Sequence, residues 1–296
     1  MYHNTVWKTA INSYIIKSEE GAINKFFYYA IPAALLLYIL SLKPAKARRE
    51  AFRPFEETMI AHRGYFDAEK GIPENSLPAY RRAVENGYGI ELDVQITTDG
   101  KLVCFHDETL ERMCGEDVKL TDLSYDELMR YRLGGTDEKI PLFEEALGIF
   151  GNKVPVIIEI KAHGNYIRTA MALMEYLDDY KGDWLVESFH PRLVRWFRKN
   201  RPDILRGQLS TVFEKKKGVP FIARFVATNL MTNFYAKPDF IAYDFHHRNQ
   251  FSYRLLRFLY HVENVAWTIR SKADLDEAKD IFKVFIFDSF DPEDRS

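Results

Sequence analysis

GIELDVQITTDGKLVCFHD, residues 89–107, decides the fold. Its start, 89–94, alternates apolar Ile90, Leu92 and Val94 with acidic Glu91 and Asp93, the period of a strand with one face on a core and one charged face. Asp99-Gly100 is a hairpin signal, and a second strand candidate, 102–106, follows it. A two-residue turn there sets Asp93 opposite His106.

Outward from this stretch, further strand candidates lie at 58–62, 154–160, 184–188, 205–209, 239–244, 264–268 and 283–288. Helical spacing separates many of them, as in Ile167, Ala170, Met171, Met174 and Leu177, or Leu193, Trp196 and Phe197. Such β–α alternation over about 240 residues predicts a (β/α)8 TIM barrel. Nine candidates exceed eight barrel strands, and the surplus is 102–106. It reads as a β-hairpin excursion after strand 2, above the barrel.

The chain has 296 residues, 47% of them hydrophobic, which is enough for one large domain with a full core. Lys plus Arg number 41 against 43 Asp plus Glu. That balance lacks the basic excess of a general nucleic-acid binder. Two cysteines, Cys104 and Cys114, do not make a disulfide framework and read as reduced thiols in a cytosolic setting, with one disulfide as the alternative.

The N-terminus differs. Phe26 to Leu42 is uncharged and apolar, at the short end of the ~17–25 residues that span a bilayer. The denser basic flank follows it: Lys43, Lys46, Arg48 and Arg49, against Lys8, Lys17 and Lys25 with Glu19 and Glu20 between them. That asymmetry orients the following domain to the cytoplasm. The expected layout is an N-terminal extension (1–25), a single transmembrane helix (26–42), a basic linker (43–57) and the barrel domain (58–296), a single-pass membrane protein. A buried helix of the soluble fold, or a signal peptide cut after Ala45-Lys46-Ala47, is the alternative. A second apolar stretch, Phe221–Phe234, reads as an ordinary barrel helix packed on strands, with lipid contact as its alternative.

Five clusters carry chemistry, in this order: His62-Arg63-Gly64, Pro73-Glu74-Asn75-Ser76, Glu91-x-Asp93, His106-Asp107 and Glu159-x-Lys161. Barrel active sites form at the C-terminal ends of strands, where His62, Glu91, Asp93, Glu159, Lys161, Ser188 and Asp288 fall. Positions i and i+2 share a face, so Glu91 joins Asp93 and Glu159 joins Lys161. Buried charges of this kind are costly unless they pair with one another or hold a metal. Three carboxylates without a thiol suit Mg2+ or Ca2+ rather than Zn2+. His62 and His106 titrate near neutrality and suit general acid and base work. His163, His246 and His247 also lie near strand ends, so physics alone does not single out a pair. Arg63 and Lys161 suit phosphate oxygens, or simply a solvated face. Glu74 and Asn75 either support metal ligands from behind or, with Ser76, cap a helix that begins before Leu77 and Tyr80.

HRG, PENS, ELDVQ, TDG, LV, FHD, IEIK, SF, AWT and the final FD, taken together, resemble the glycerophosphodiester phosphodiesterases in order and spacing over roughly residues 58–292. The resemblance implies a TIM barrel and metal-dependent hydrolysis of a glycerophosphodiester to glycerol 3-phosphate and an alcohol. By position it implies His62 and His106 as the catalytic pair. Glu91, Asp93 and Glu159 become ligands of one divalent cation, Mg2+ or Ca2+. Arg63 and Lys161 become phosphate contacts, and Trp267 an apolar wall of the substrate pocket. It also implies that the glycerol hydroxyl attacks phosphorus first, giving a cyclic phosphate that water opens. Arg270 stands where the family often has Asn. The expected partners are a small-molecule glycerophosphodiester or a lysolipid, and a membrane through residues 26–42; nucleic acid is not expected. Lysophospholipase D-type hydrolysis, a cyclising lyase, and a barrel that binds a phosphate ligand without turnover are the competing readings.

Overall fold

The computed structural model describes residues 27–215 and 218–293. Among these residues nine strands form one sheet: β1 (Ile60–His62), β2 (Gly89–Ile96), β3 (Leu102–Cys104), β4 (Val156–Ile160), β5 (Trp184–Ser188), β6 (Arg206–Ser210), β7 (Phe240–Asp244), β8 (Glu263–Ile269) and β9 (Val284–Phe287). β1 pairs in parallel with both β2 and β9, which closes eight parallel strands into a barrel. β3 is antiparallel to β2 and stands outside the ring, as the surplus-strand argument expects.

The hairpin register differs by one from the expectation. Val94 faces Cys104 and Ile96 faces Leu102, so Asp93 lies opposite Phe105, whose N–H donates to the Asp93 carbonyl, and not opposite His106. The cause is the loop. Thr97 N–H donates to Lys101 O and Gly100 N–H to Thr97 O, which leaves three loop residues rather than two. Gly100 takes φ +88°, the left-handed position that a three-residue hairpin loop requires. Beyond β3 the excursion carries a small core of its own, built from Val103, Phe105, Leu110, Leu120, Leu128, Leu133 and Ile140.

Alternation along the barrel strands sends Ile60, Ile157, Leu185, Leu205, Phe240, Val265 and Val284 inward at the floor. Ile90, Leu92, Ile158 and Val186 point outward under the helices. The floor is sealed by a helix where a linker is expected. Residues 43–57 contain the helix Arg49–Glu56, which buries Phe52 and Phe55 in the inner core, with Phe52 at 5.4 Å from the Phe240 ring. The two phenylalanines are three apart, on one helix face. Each buried ring contributes about 1.5–3 kcal/mol, which explains why this polar segment folds. The folded unit therefore begins before residue 58.

The expected transmembrane span is not borne out. Among the described residues no helix is long and apolar enough to cross a membrane. Residues 27–42 form a helix; Phe26 and the extension 1–25 lie outside the described residues. At ~1.5 Å per residue the described helix reaches about 24 Å, short of a ~30 Å hydrocarbon core. Its last turn belongs to the barrel. Leu42 is fully buried, Tyr38 OH donates to Ser252 Oγ (2.5 Å) and Tyr260 OH donates to Ile39 O (2.7 Å). The expectation for Phe221–Phe234 holds only in its second part, where Leu230 is buried in the core and Asn233 is fully enclosed. The helix Phe221–Thr228 has no buried residue and does not pack as an ordinary barrel helix.

Candidate active site

Four consecutive strands around the barrel, β1, β2, β4 and β5, bring acids and bases to the mouth. Glu91 and Asp93 on β2 and Glu159 on β4 are buried, with one oxygen of each within 4.8 Å of the others. Asp93 is in register with Glu159. Lys161 continues β4 inward and sits 2.8 Å from Asp93 and 2.9 Å from Glu159. Glu159 and Lys161 are therefore paired with one another, the first of the two expected states of such buried charges. Arg63 follows β1; its main-chain N–H donates to Glu91 Oε2 (3.0 Å), and its guanidinium meets Glu74 (2.7 Å) and Asp93 (3.4 Å).

The loops that carry these groups are tightly stitched. Arg63 and Asn75 both adopt positive φ, and Asn75 N–H donates to Arg63 O. Gly64 has φ +81°, and a Cβ there would lie 2.9 Å from the Ala79 Cβ, so the HRG turn admits only glycine. Asn75 is fully enclosed; it donates to Asp93 Oδ2 (2.8 Å) and accepts from Tyr80 OH (2.9 Å). Ser76 caps the helix Leu77–Glu85. The capping and supporting readings of Glu74-Asn75-Ser76 are thus both realised, by different residues.

Each candidate imidazole leans on its own carboxylate. His62 Nδ1 lies 2.9 Å from Asp288 Oδ2, and His106 Nδ1 lies 2.6 Å from Asp107 Oδ1. A carboxylate only accepts, so both rings carry hydrogen on Nδ1 and turn Nε2 to the mouth. His62 Nε2 is 4.0 Å from Glu91 Oε2. The His106 segment is pinned by Gln95 Nε2, which donates to the carbonyls of Phe105 and Asp107. Burial lowers the pKa of both histidines below its ordinary 6.5, against the opposing pull of Asp288 on His62 and of Asp93 on His106.

Sequence reasoning left four of these groups without a role: Asp288, Asp107, Arg112 and Glu187. Asp288 is the FD carboxylate just past the end of β9, and Asp107 completes the His-Asp dipeptide; those pairings were the available signal. Arg112 clamps Asp107 and Glu74 together, each at 2.6 Å. Glu187 on β5 is in register with Glu159, is buried, and has an Oε2 without a hydrogen-bond partner. The other half of the mouth is different. Trp267 on β8 packs edge-on to Phe189 (5.6 Å), and Phe189 to Phe213 (6.1 Å). His247 pairs with Asp244 there, away from the acid cluster (3.0 Å). His246 is exposed. Arg270 holds Asp288 (3.1 Å), so it supports the His62 carboxylate.

The acid cluster fits a hard divalent cation. Four buried carboxylates, Glu91, Asp93, Glu159 and Glu187, share two cations among the described residues, Lys161 and Arg63. Burial, then the neighbouring carboxylates, push Glu91 and Glu187 well above the ordinary range, and burial raises Glu159. Burial also opposes ionisation of Asp93, but Lys161, His106 and Arg63 outweigh it and hold Asp93 low. The local charge excess and the all-oxygen donor set suit Mg2+ or Ca2+ without choosing between them.

A model of the glycerophosphoryl diester phosphodiesterase family matches residues 62–255. Human glycerophosphodiester phosphodiesterase 1 is 30% identical over 186 residues, covering 58% of this chain and 55% of the human protein. A human lysophospholipase D is 35% identical over 153 residues, covering 47% of this chain and 46% of that protein. The matches thus span about half the length of these curated relatives. In fold, the chain is similar to an Oleispira antarctica phosphodiesterase solved with sn-glycerol-3-phosphate (TM-score 0.63, 20% identity, 80% of this chain and 94% of that one). With a family model matched over most of the barrel and every candidate group gathered at one mouth, the chain belongs to the glycerophosphoryl diester phosphodiesterase family.

Proposed function

We propose that the chain is a metal-dependent phosphodiesterase that hydrolyses a glycerophosphodiester to glycerol 3-phosphate and an alcohol. The observation that carries this reading is the pair of carboxylate-held imidazoles beside a buried acid triad. A divalent cation held by Glu91, Asp93 and Glu159 would neutralise charge on the phosphate oxygens. Arg63 and Lys161 bind the same phosphate, and Arg63 exchanges its Asp93 contact for a phosphate oxygen. One neutral imidazole accepts, on Nε2, the proton of the attacking oxygen. The other, protonated on both nitrogens at that moment, gives a proton to the departing alkoxide. If the glycerol hydroxyl attacks first, the cyclic ester is opened by water with the two imidazoles exchanging roles. Asp288 and Asp107 keep both rings oriented through either step, and Trp267 with Phe189 walls off the apolar side.

Phosphorus NMR of glycerophosphoethanolamine incubated with the full chain, with Mg2+ or Ca2+ and with chelator, tests the reading. Glycerol 3-phosphate should appear with metal and not with chelator. Accumulation of the cyclic phosphate alone would make the protein a lyase, and binding without any product would make it a receptor.

A further inference from the structure

Two apolar helices from distant parts of the chain are exposed on the mouth side of the barrel. The helix 27–42 exposes Tyr28 (73%), Ile31 (63%), Leu36 (57%) and Leu37 (68%), and contains no charged residue. The helix Phe221–Thr228 exposes Phe221 (69%), Ile222 (73%) and Phe225 (49%).

A chain of hydrogen bonds places both. Tyr38 OH donates to Ser252 Oγ, and Ser252 Oγ donates to Asn229 Oδ1 (2.6 Å), the residue that caps Phe221–Thr228. Ser252 begins the helix that follows β7, and is therefore on the mouth side. Ser210, the last residue of β6, donates to Ala227 O (3.3 Å), which seats Phe221–Thr228 over the same rim. From Tyr38 the chain descends to the barrel floor, where Ala45 N–H meets Pro238 O just before β7. Residues 27–37 consequently run the other way, past the mouth. They reach roughly 16 Å beyond Tyr38, about half the depth of a hydrocarbon core.

The occupant follows from the distribution of these side chains. At 100° per residue, Tyr28, Ile31, Leu36 and Leu37 point to different sides of the helix axis. A groove on a partner protein, or on a second copy of this chain, covers one side of a helix. Hydrocarbon covers all of them. Tyr28 and Tyr29 are also ring systems with one polar end, suited to an interfacial layer.

We propose that the protein docks on a lipid surface, with residues 27–37 embedded in one leaflet and Phe221, Ile222 and Phe225 forming a second contact at the rim. This geometry faces the mouth to the headgroups, so the phosphodiesters it takes are presented at the lipid surface. The substrate statement rests on the phosphodiesterase reading above; the docking statement stands on the two helices alone.

The test uses the full chain and vesicles of phosphatidylethanolamine and phosphatidylglycerol. The comparison is with the combined variant Phe221→Asp, Ile222→Asp, Phe225→Asp, whose side chains contribute nothing to the core. Wild type should sediment with vesicles, and the variant should bind at least about tenfold more weakly. Hydrolysis of vesicle-borne lysophosphatidylethanolamine should fall in parallel, while hydrolysis of soluble glycerophosphoethanolamine stays unchanged. Wild type left in the supernatant, a variant that binds as well as wild type, or a dimer that the variant dissociates without any vesicle binding would overturn the proposal. Vesicle binding as expected with no hydrolysis of either substrate would confirm docking and remove the catalytic reading instead.

Discussion

At the scale of single residues, the site works through pairs. On the proposed mechanism, replacing His62 or His106 by Ala removes a proton carrier but little packing, so turnover should fall roughly 10²–10⁴-fold with an unchanged melting curve; steady-state kinetics beside a thermal melt checks this. Asp288→Asn reverses the hydrogen bond at His62 Nδ1, because the amide can donate. The ring then loses its free Nε2, and kcat should drop at least about 10–100-fold with an altered pH profile. A change in stability with an unaltered pH profile would make Asp288 merely structural. Glu159→Gln should weaken metal affinity by a similar factor, measured by calorimetry. The catalytic-type side chains were legible because their chemistry is written in residue type and their spacing in strand period. Glu187 was not legible. A single Glu followed by Ser closing a strand looks like any exposed strand end, and only the register with Glu159 shows that it points into the mouth.

At the scale of elements, two expectations failed for local reasons. Asp99-Gly100 marks a hairpin without fixing its loop length, and one extra loop residue moves every pairing by one. His106 still reaches the site because it lies past the end of β3, where Gln95 rather than the ladder sets its position. The helix Arg49–Glu56 was read as a linker from its charges, while its two phenylalanines do the packing. Phe52→Ala empties part of the barrel floor and should cost about 3–5 kcal/mol, read from chemical denaturation. A loss below about 1 kcal/mol would mean that the floor is sealed without it.

At the scale of the whole molecule, the barrel itself was legible throughout, since β–α alternation and floor residues repeat around the ring. What the pattern could not place was the apolar N-terminal run, because a span and a surface helix share one composition. Charge in the mouth ties stability to pH and metal. Between the ordinary carboxylate value of 4.5 and the raised values of Glu91 and Glu159, the metal-free folded state holds more protons than the unfolded one, so its stability falls as pH rises through that window. Asp288 acts oppositely: burial pushes it up, but His62 outweighs this and lowers it from 3.8 to about 2, so its contribution is present above 3.8 and lost as pH falls through about 2. Cation binding needs the triad ionised, so the rise in Tm on adding Ca2+ should grow with pH above 4.5 and be accompanied by proton release. The most direct test of the site is anomalous diffraction from crystals grown with Ca2+. The account predicts one peak about 2.3–2.6 Å from an oxygen of each of Glu91, Asp93 and Glu159, with the Nε2 atoms of His62 and His106 on either side. A triad still closed on Lys161 with no peak, or a cation bound elsewhere in the mouth, would contradict it.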